Sequence, residues 1–388
     1  MKDNLNSQMG LDFSSILIYL LFFFMSFFFC YISEQMFKKK KKQLGFLSST
    51  ISIIILCLLS ALRSTEVGGD INGYLLPNFK LATSYNNFKD FYSFTSNQIE
   101  ILFSLLIYIF SKINNLMLLF FTIQLFVLVP VYFVLYKNRN HCSIITGYIV
   151  YIFLFYNFSL SGMRQAIATS FMYLSIDYLM NKRYLKFILL GFIAFLFHKG
   201  VIIPLVVITT ILFFENKKLY KCLLIIGANI LIIFFIFYNQ FAKLLSEIFL
   251  YINPRYSYYI FTYLNESIHW NNIHMTEAVI KSSIVLCCIF FGHYHNKDNI
   301  RNISILVFSL LGRYFILLNA RMYEALRIAY YFDIFCITLV GNTVYQLKKR
   351  LNKRIIIFYL IVSSFLYWIY FIMYIGAYKT NIYIYIFA

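Results

Sequence analysis

The chain has 388 residues, of which 61% are hydrophobic and only 13% charged, and its mean hydropathy is +0.73. A soluble domain is closer to half apolar and a quarter charged, so a water-soluble enzyme or binding module is excluded. The net charge of +19 would suit nucleic acid, but the basic residues lie between apolar segments, where membrane topology alone explains them. No nucleic-acid partner is therefore expected.

The apolar runs predict helices that cross a lipid bilayer, because lipid requires every backbone polar group to be satisfied within its own segment. The runs do not alternate as barrel strands would. We predict an all-α, polytopic bundle of about twelve transmembrane helices that forms one domain over residues 1–388. The predicted spans are 13–37, 44–62, 116–136, 143–160, 162–180, 184–197, 201–214, 219–238, 276–293, 302–318, 328–347 and 355–377.

Basic residues set the predicted orientation. If the five lysines at 38–42 are cytoplasmic and the short apolar segment 98–112 does not span, short cytoplasmic loops hold 20 of the 34 Lys and Arg residues. Both termini then face outward, as do two long loops, at about 63–115 and 239–275. The first apolar run is not a cleaved signal peptide, because its lysines follow the run instead of preceding it.

The seven cysteines are scattered, and no Cys or Cys/His spacing indicates a metal site. The residues that remain for chemistry are cationic side chains at the outer helix ends, where ionisable groups at membrane depth usually mark a site. They are Arg63, Arg164, Lys199, Arg313, Arg321 and Arg327. Arginines that meet in one cavity would suit a phosphate or pyrophosphate, because the guanidinium fork matches those oxygens. Alternatively, each arginine snorkels to lipid headgroups.

The loop after the second span carries Arg63, then Val-Gly-Gly-Asp at 67–70, then Tyr74. The glycines allow backbone shapes that hold Asp70 at a cavity mouth. Asp70 could act as a base, orient a sugar hydroxyl, or pair with Arg63. Because the loop is glycine-bearing, we expect a solvated carboxylate with an ordinary pKa. Tyr74 could stack on a sugar ring or anchor the loop at the interface.

The segment Ser-Gly-Met-Arg-Gln-Ala-Ile-Ala begins at residue 161 and opens a helix at its outer end. Arg164 and Gln165 lie in the first turn of this helix, where unpaired backbone N–H groups and the helix dipole favour an anion.

His198 and Lys199 end an otherwise apolar run on the outer side. A neutral imidazole there could accept a proton from an attacking hydroxyl. The alternative is an interfacial histidine bonded to a carbonyl. Near the end of the chain, Arg327 and Tyr331 are four residues apart and share a helix face. Asp333 lies deeper and could pair with Arg313.

The order of these motifs resembles the EpsG family of Wzy-like polysaccharide polymerases. The matching segments are Leu62-Arg63 with Val67-Gly68-Gly69-Asp70 and Tyr74, then Arg164-Gln165-Ala166-Ile167-Ala168, then Phe197-His198-Lys199, then Arg327 with Tyr331-Phe332. Gly69 and Ile71 flank the aspartate where family members often carry Thr, and Gly200 stands where many have Ser.

The resemblance implies a bacterial inner-membrane glycosyltransferase that joins undecaprenyl-pyrophosphate-linked oligosaccharides into O-antigen, capsule or exopolysaccharide on the outer face. His198 and Asp70 would be catalytic. The substrate-binding set would be Arg63, Tyr74, Arg164, Gln165, Lys199, Arg321, Arg327 and Tyr331. No cofactor or metal is implied, so arginines would stabilise the leaving pyrophosphate. Membrane lipids, a chain-length regulator and a flippase of the same pathway are candidate partners.

Two other functions stay open from the sequence. A lipid-linked oligosaccharide flippase also has about twelve helices, but it needs charged groups through its lumen and related halves. The deep interior looks poor in charge, and no two halves are found. A multi-span acyltransferase that modifies polysaccharide would suit the histidine, whereas the set of arginines favours pyrophosphate.

Overall fold

A computed structural model describes residues 11–213, 243–244, 247, 272–292, 300–318, 324–347 and 350–385. These residues are helical, apart from turns and one isolated bridge between Arg63 and Tyr385. The helices are α1 Phe13–Lys38, α2 Lys42–Ala61, α3 Leu76–Thr83, α4 Phe88–Thr95, α5 Ile101–Lys112, α6 Leu116–Lys137, α7 Ile144–Ser161, α8 Met163–Met180, α9 Tyr184–Phe197, α10 Ile202–Phe213, α11 Asn272–Phe291, α12 Ile300–Leu318, α13 Glu324–Asp333, α14 Phe335–Gln346 and α15 Arg350–Tyr367.

Seven helices or helix pairs in the described part of the chain are long and apolar enough to cross a membrane. The all-helical class and the membrane-spanning character predicted from sequence are therefore confirmed. The predicted span 219–238 and almost all of the outer loop 239–275 lie outside the described residues. The total of about twelve spans stays a prediction.

The first helix shows why lipid is the solvent of this fold. One face of α1 exposes large apolar side chains at helical spacing, including Phe13, Leu17 and Phe24, which are 72%, 67% and 61% exposed. The opposite face buries Tyr19 and Phe23 completely. An apolar stripe this wide would be unfavourable in water, so the exposed face is the one that meets hydrocarbon chains.

Asp177 ties three helices together at one end of the bundle, which we call the basic end. Its carboxylate lies 2.5 Å from Nζ of Lys137 on α6 and 2.7 Å from Nη2 of Arg301 on α12. The side-chain amide of Asn138 donates to the same carboxylate at 2.9 Å. Basic residues at this end of the bundle are therefore held by a buried carboxylate, which fixes the helix ends.

The first long loop is largely helical. It contains a π-helical turn, Ile71–Leu75, followed by α3, α4 and α5. Arg63, just past the end of α2, lies over the ring of Phe120 near the start of α6, with 4.5 Å from Cζ to the ring centroid. The loop thus leaves and re-enters the bundle at one end, opposite the basic end. At about 1.5 Å per residue, the twelve residues of α5 reach about 18 Å.

The C-terminal segment packs against the same end of the bundle. The backbone N–H of Ser64 donates to the carbonyl of Ile384 at 2.7 Å, and the hydroxyl of Tyr19 donates to the carbonyl of Thr380 at 2.9 Å. Asn157 also reaches Thr380, with 3.0 Å from Nδ2 to Oγ1. These bonds fix the C-terminal segment against α1, α7 and the loop that follows α2.

A cluster of four charged side chains lies inside the described part of the bundle, so the expectation of a charge-poor interior is wrong. Lys281 on α11 is 3.0 Å from the carboxylate of Glu277 and 3.5 Å from that of Asp333, and all three side chains are 0% exposed. Arg313 pairs with Asp333 at 2.5 Å, as the sequence suggested. Two positive and two negative groups compensate each other, which is the arrangement that makes burial tolerable.

Candidate active site

A polar cavity of about 130 Å³ lies at the end of the bundle opposite the basic end. Five separate parts of the chain form it: the loop after α2, the junction of α7 and α8, the end of α9, α13 and the C-terminal segment. Its lining residues are Asp70, Tyr74, Phe158, Ser161, Gly162, Arg164, Gln165, His198, Leu326, Arg327, Tyr330 and Tyr378. Six of the ten residues predicted for the site are thus brought together.

Gly68 sets the position of Asp70. Its φ is +122°, and a Cβ at this residue would lie 2.6 Å from the carbonyl oxygen of Leu160, so only glycine fits. The Gly68 N–H also donates to the carbonyl of Lys379 at 2.9 Å, which holds the loop against the C-terminal segment. Asp70 is therefore placed by a packed backbone.

The carboxyl of Asp70 is exposed in the cavity mouth. Partial desolvation raises its pKa, and the positive charges of Arg327 and Arg164 oppose this rise. The sequence led us to expect an ordinary pKa for Asp70, and the structure instead raises it. The expected alternative of an Asp70–Arg63 pair is not what the structure shows, because Arg63 bonds elsewhere.

Arg164 is held by three neighbours. Its Nη1 donates to the carbonyl of Gln98 at 2.9 Å and to the carboxylate of Glu100 at 2.8 Å. Its Cζ lies 4.5 Å from the ring centroid of Tyr74. Arginine has five N–H donors, and Nη1 accounts for two of them. Tyr74 thus packs on Arg164, a contact that neither the sugar-stacking nor the interface role anticipated.

Glu100 is a site residue that the sequence analysis missed. One carboxylate oxygen binds Arg164, and the other accepts from the backbone N–H of Lys199 at 3.2 Å. Glu100 therefore joins the loop before α5 to the His198 segment. The signal was available, since it is an acidic residue placed directly before an apolar helix in a chain with only 15 acidic residues.

His198 is positioned by Tyr331 and Gly200. The hydroxyl of Tyr331 lies 2.7 Å from Nδ1 of His198, so Nε2 is the ring nitrogen left for substrate. A Cβ at Gly200 would lie 2.8 Å from Cε1 of the same ring. Gly200 thus leaves space for the imidazole, and Tyr331 is a positioning residue because it is buried and does not line the cavity.

The imidazole is neutral at physiological pH. Burial lowers the pKa of His198 to about 4; the Glu100 carboxylate opposes this shift, while the charges of Arg164 and Arg327 add to it. The sequence analysis expected a neutral histidine, and the direction of the shift is confirmed. The cationic groups that add to the shift are these two arginines, and the adjacent Lys199 is not among its causes.

Arg327 lies in the first turns of α13, where its side chain is exposed and lines the cavity. The side-chain amide of Gln165 donates to the backbone carbonyl of Arg327. This bond fixes the start of α13 to the start of α8. α8 itself begins after Gly162, which has no side chain to cap the first N–H groups.

The other predicted residues lie elsewhere. Arg63 is 0% exposed and donates to the carbonyl of Leu160 at 2.6 Å, beneath the loop that carries Asp70. The side chain of Lys199 is exposed and does not line the cavity. Arg321 lies outside the described residues. Within the described part of the chain, no group of three His, Cys, Asp or Glu residues is placed to hold a metal ion.

Three aromatic rings form a second wall of the cavity that the sequence analysis did not predict. Phe158 and Tyr330 stack with ring centroids 3.8 Å apart, and Tyr378 meets Phe158 edge-on at 5.6 Å. The hydroxyl of Tyr330 is buried with no hydrogen-bond partner among the described residues. Aromatic rings at a cavity wall are features that bind sugars. Tyr330 lies between Arg327 and Tyr331 in the sequence but was not predicted to be a site residue.

The chain was compared with known proteins in three ways. No curated protein matches it, and no solved structure matches it. The EpsG family model matches residues 46–387, which include every residue of the cavity. Because this match covers most of the sequence, the chain belongs to the EpsG family.

Proposed function

We propose that this protein is a membrane glycosyltransferase that polymerises lipid-linked oligosaccharide repeat units into surface polysaccharide. Membership of the EpsG family and a bundle of membrane-spanning helices support a role in polysaccharide biosynthesis. One observation carries the finer proposal. A neutral histidine, two arginines and an aromatic wall, contributed by separate helices, converge on one cavity at one end of the bundle.

The donor in this proposal is a growing chain on undecaprenyl pyrophosphate, and the acceptor is a second lipid-linked unit. The acceptor hydroxyl attacks the anomeric carbon of the donor, and the bond from that carbon to the pyrophosphate oxygen breaks. Nε2 of His198 takes the hydroxyl proton, for which a neutral imidazole is required. The electron pair leaves with the pyrophosphate.

The leaving pyrophosphate gains negative charge as its bond to the sugar breaks. Arg164 and Arg327 line the cavity and are the groups proposed to stabilise this charge. Asp70, at the mouth, is proposed to orient the acceptor by accepting a bond from a sugar hydroxyl. Glu100 and Tyr74 keep Arg164 in place, and Tyr331 keeps His198 in place.

The proposed location is the outer face of the bacterial cytoplasmic membrane. The cavity lies opposite the end where Asp177 binds Lys137 and Arg301, and positively charged loops usually remain cytoplasmic. Substrates on the outer face would be the lipid-linked units that have already crossed the membrane.

A flippase is the second candidate, favoured by the charges inside the bundle. Glu277, Lys281, Arg313 and Asp333 would suit a polar transport path. However, these side chains bind one another, are at most 5% exposed, and line none of the cavities found among the described residues. A transport path needs polar groups that face a lumen.

Deletion of the gene followed by gel analysis of surface polysaccharide separates the two functions. A polymerase deletion loses long chains and keeps product that carries a single repeat unit. A flippase deletion loses all surface units, and that result would reject the proposal. Complementation with the intact gene should restore the long chains.

A further inference from the structure

An apolar groove of about 760 Å³ lies between α9 and α10. Its walls include Ile188 and Phe192 from α9 and Ile202 and Val206 from α10, which are 60%, 58%, 49% and 57% exposed. Gly191 lies in the groove and contributes no side chain to fill it. The groove is therefore open and is lined by apolar side chains on the surface of the bundle.

The groove does not need a ligand that forms hydrogen bonds. Its two hydroxyl groups, on Thr209 and Thr210, both donate to carbonyls of their own helix, at Leu205 and Val206 respectively. The hydrogen of each hydroxyl is thus already used within the helix. An occupant with polar groups along its length would leave those groups unsatisfied, so the groove fits a hydrocarbon chain.

The groove and the polar cavity share no lining residue but are neighbours along the chain. α9 and α10 are joined by residues 198–201, and His198 lines the cavity while Ile202, about one helical turn later, lines the groove. The part of α9 that lines the groove, from Phe187 to Phe195, is about 12 Å long and extends away from His198. A ligand with its head at His198 can thus lay its tail between the two helices.

We propose that this groove binds the polyisoprenyl chain of the lipid-linked substrate, with the pyrophosphate at the arginines of the cavity. This inference rests on the proposed function, because it takes the lipid-linked sugar as the ligand of the cavity. A phospholipid would also bring a phosphate and a tail. A phospholipid has no sugar to contact His198 or the aromatic wall of Phe158, Tyr330 and Tyr378, which lie at the same cavity.

Photo-crosslinking tests the groove directly. Val206 and Val207 are neighbours on α10, both exposed, and only Val206 lines the groove. The purified full-length protein, with a photoreactive residue at either position, is placed in nanodiscs of phosphatidylethanolamine and phosphatidylglycerol with radiolabelled undecaprenyl pyrophosphate. We expect labelling at 206 and little at 207, removed by unlabelled undecaprenyl pyrophosphate and not by added phospholipid.

Several results would overturn the proposal. Equal labelling at 206 and 207 would mean that the groove holds bulk lipid only. A crosslink from 206 to another segment of the same chain would mean that the protein itself fills the groove. As a second measurement, Val206→Trp should raise KM for the lipid-linked substrate with little change in kcat, and Val207→Trp should change neither; equal effects of the two variants would contradict the groove.

The outcomes also separate this inference from the proposed function. If 206 is not labelled while the deletion strain loses its long chains, the groove assignment fails and the polymerase proposal stands. If 206 is labelled specifically while deletion leaves the long chains intact, the polymerase proposal fails. The groove then remains a polyprenyl site of a protein with another reaction.

Discussion

The hydroxyl of Tyr331 and Nδ1 of His198 are 2.7 Å apart, and the direction of this hydrogen bond decides what the histidine can do. If Nδ1–H donates to Tyr331, Nε2 carries the lone pair and can accept a proton. If Tyr331 donates, Nε2 carries a hydrogen and can only donate. General-base catalysis needs the first arrangement.

We therefore expect His198→Gln to lower the polymerisation rate by a factor on the order of 100 to 10,000, the usual contribution of a general base. Tyr331→Phe keeps the imidazole and should cost less. The measurement is chain formation from purified lipid-linked units in nanodiscs. If His198→Gln polymerises normally and Asp70→Asn is inactive, then Asp70 is the base; if both variants work, no protein base is needed.

The pH dependence should follow the lowered pKa of His198. Because burial lowers this pKa to about 4, the imidazole stays neutral, and competent as a base, from pH 8 down to pH 6. A free imidazole, with a pKa of about 6.5, would already be mostly protonated near pH 5.5. We expect kcat to remain flat between pH 6 and 8 and to fall only in more acid solution. A decline centred near pH 6.5 would contradict the neutral, buried base.

The sequence predicted the all-helical, membrane-spanning class because hydrophobic length is a local property. The π-helical turn within α7, Ile152–Tyr156, did not disturb this prediction, since the segment stays apolar throughout. The charged interior was missed for the opposite reason. Glu277 and Lys281 are one turn apart in a helix that looked like an ordinary span, and Asp333 and Arg313 complete the group only after folding.

The site was predicted in part. Residues such as His198 and Arg164 stand out because polar groups interrupt apolar runs. Glu100 could not be paired with Arg164 from the sequence, because 64 positions separate them. The helices within the loop between α2 and α6 were also not predicted. Arg63 was misjudged because position at a helix end does not reveal burial beneath a loop.

The buried charges should be needed as a balanced set. Lys281→Met removes one of the two positive groups in the described cluster and leaves Arg313 to face the carboxylates of Glu277 and Asp333. Breaking a buried ion pair in this way typically costs about 3–5 kcal/mol. We expect a clearly lower thermal unfolding temperature in detergent. The double variant Lys281→Met/Glu277→Gln restores neutrality and should recover much of the loss; no difference between the two would contradict the balance.

Cysteine labelling of intact cells tests the proposed orientation. The six described cysteines are buried. Cys222, which lies outside the described residues, can be replaced by Ser to keep the background labelling low. Glu66→Cys places an exposed thiol beside the cavity loop, and Lys41→Cys places one at the basic end. We expect an impermeant maleimide to label residue 66 in intact cells and residue 41 only after permeabilisation. The reverse pattern would put the cavity in the cytoplasm.

The arginines of the cavity should not tolerate lysine. Arg164 uses Nη1 for Gln98 and Glu100 and packs its guanidinium on Tyr74, and an ammonium cannot reproduce this geometry or a fork to phosphate. We expect Arg164→Lys and Arg327→Lys to insert normally in the membrane and to lose long chains on gels of surface polysaccharide.

Arg139 supplies the matched control for these variants. Its guanidinium also packs on a tyrosine ring, with 4.3 Å from Cζ to the centroid of Tyr136, and its Nη1 also donates to a backbone carbonyl, at 3.0 Å. It lies at the basic end, away from the cavity, so Arg139→Lys should leave chain length unchanged. Normal long chains in both cavity variants would mean that the arginines only reach for lipid headgroups, a role that lysine fills equally well.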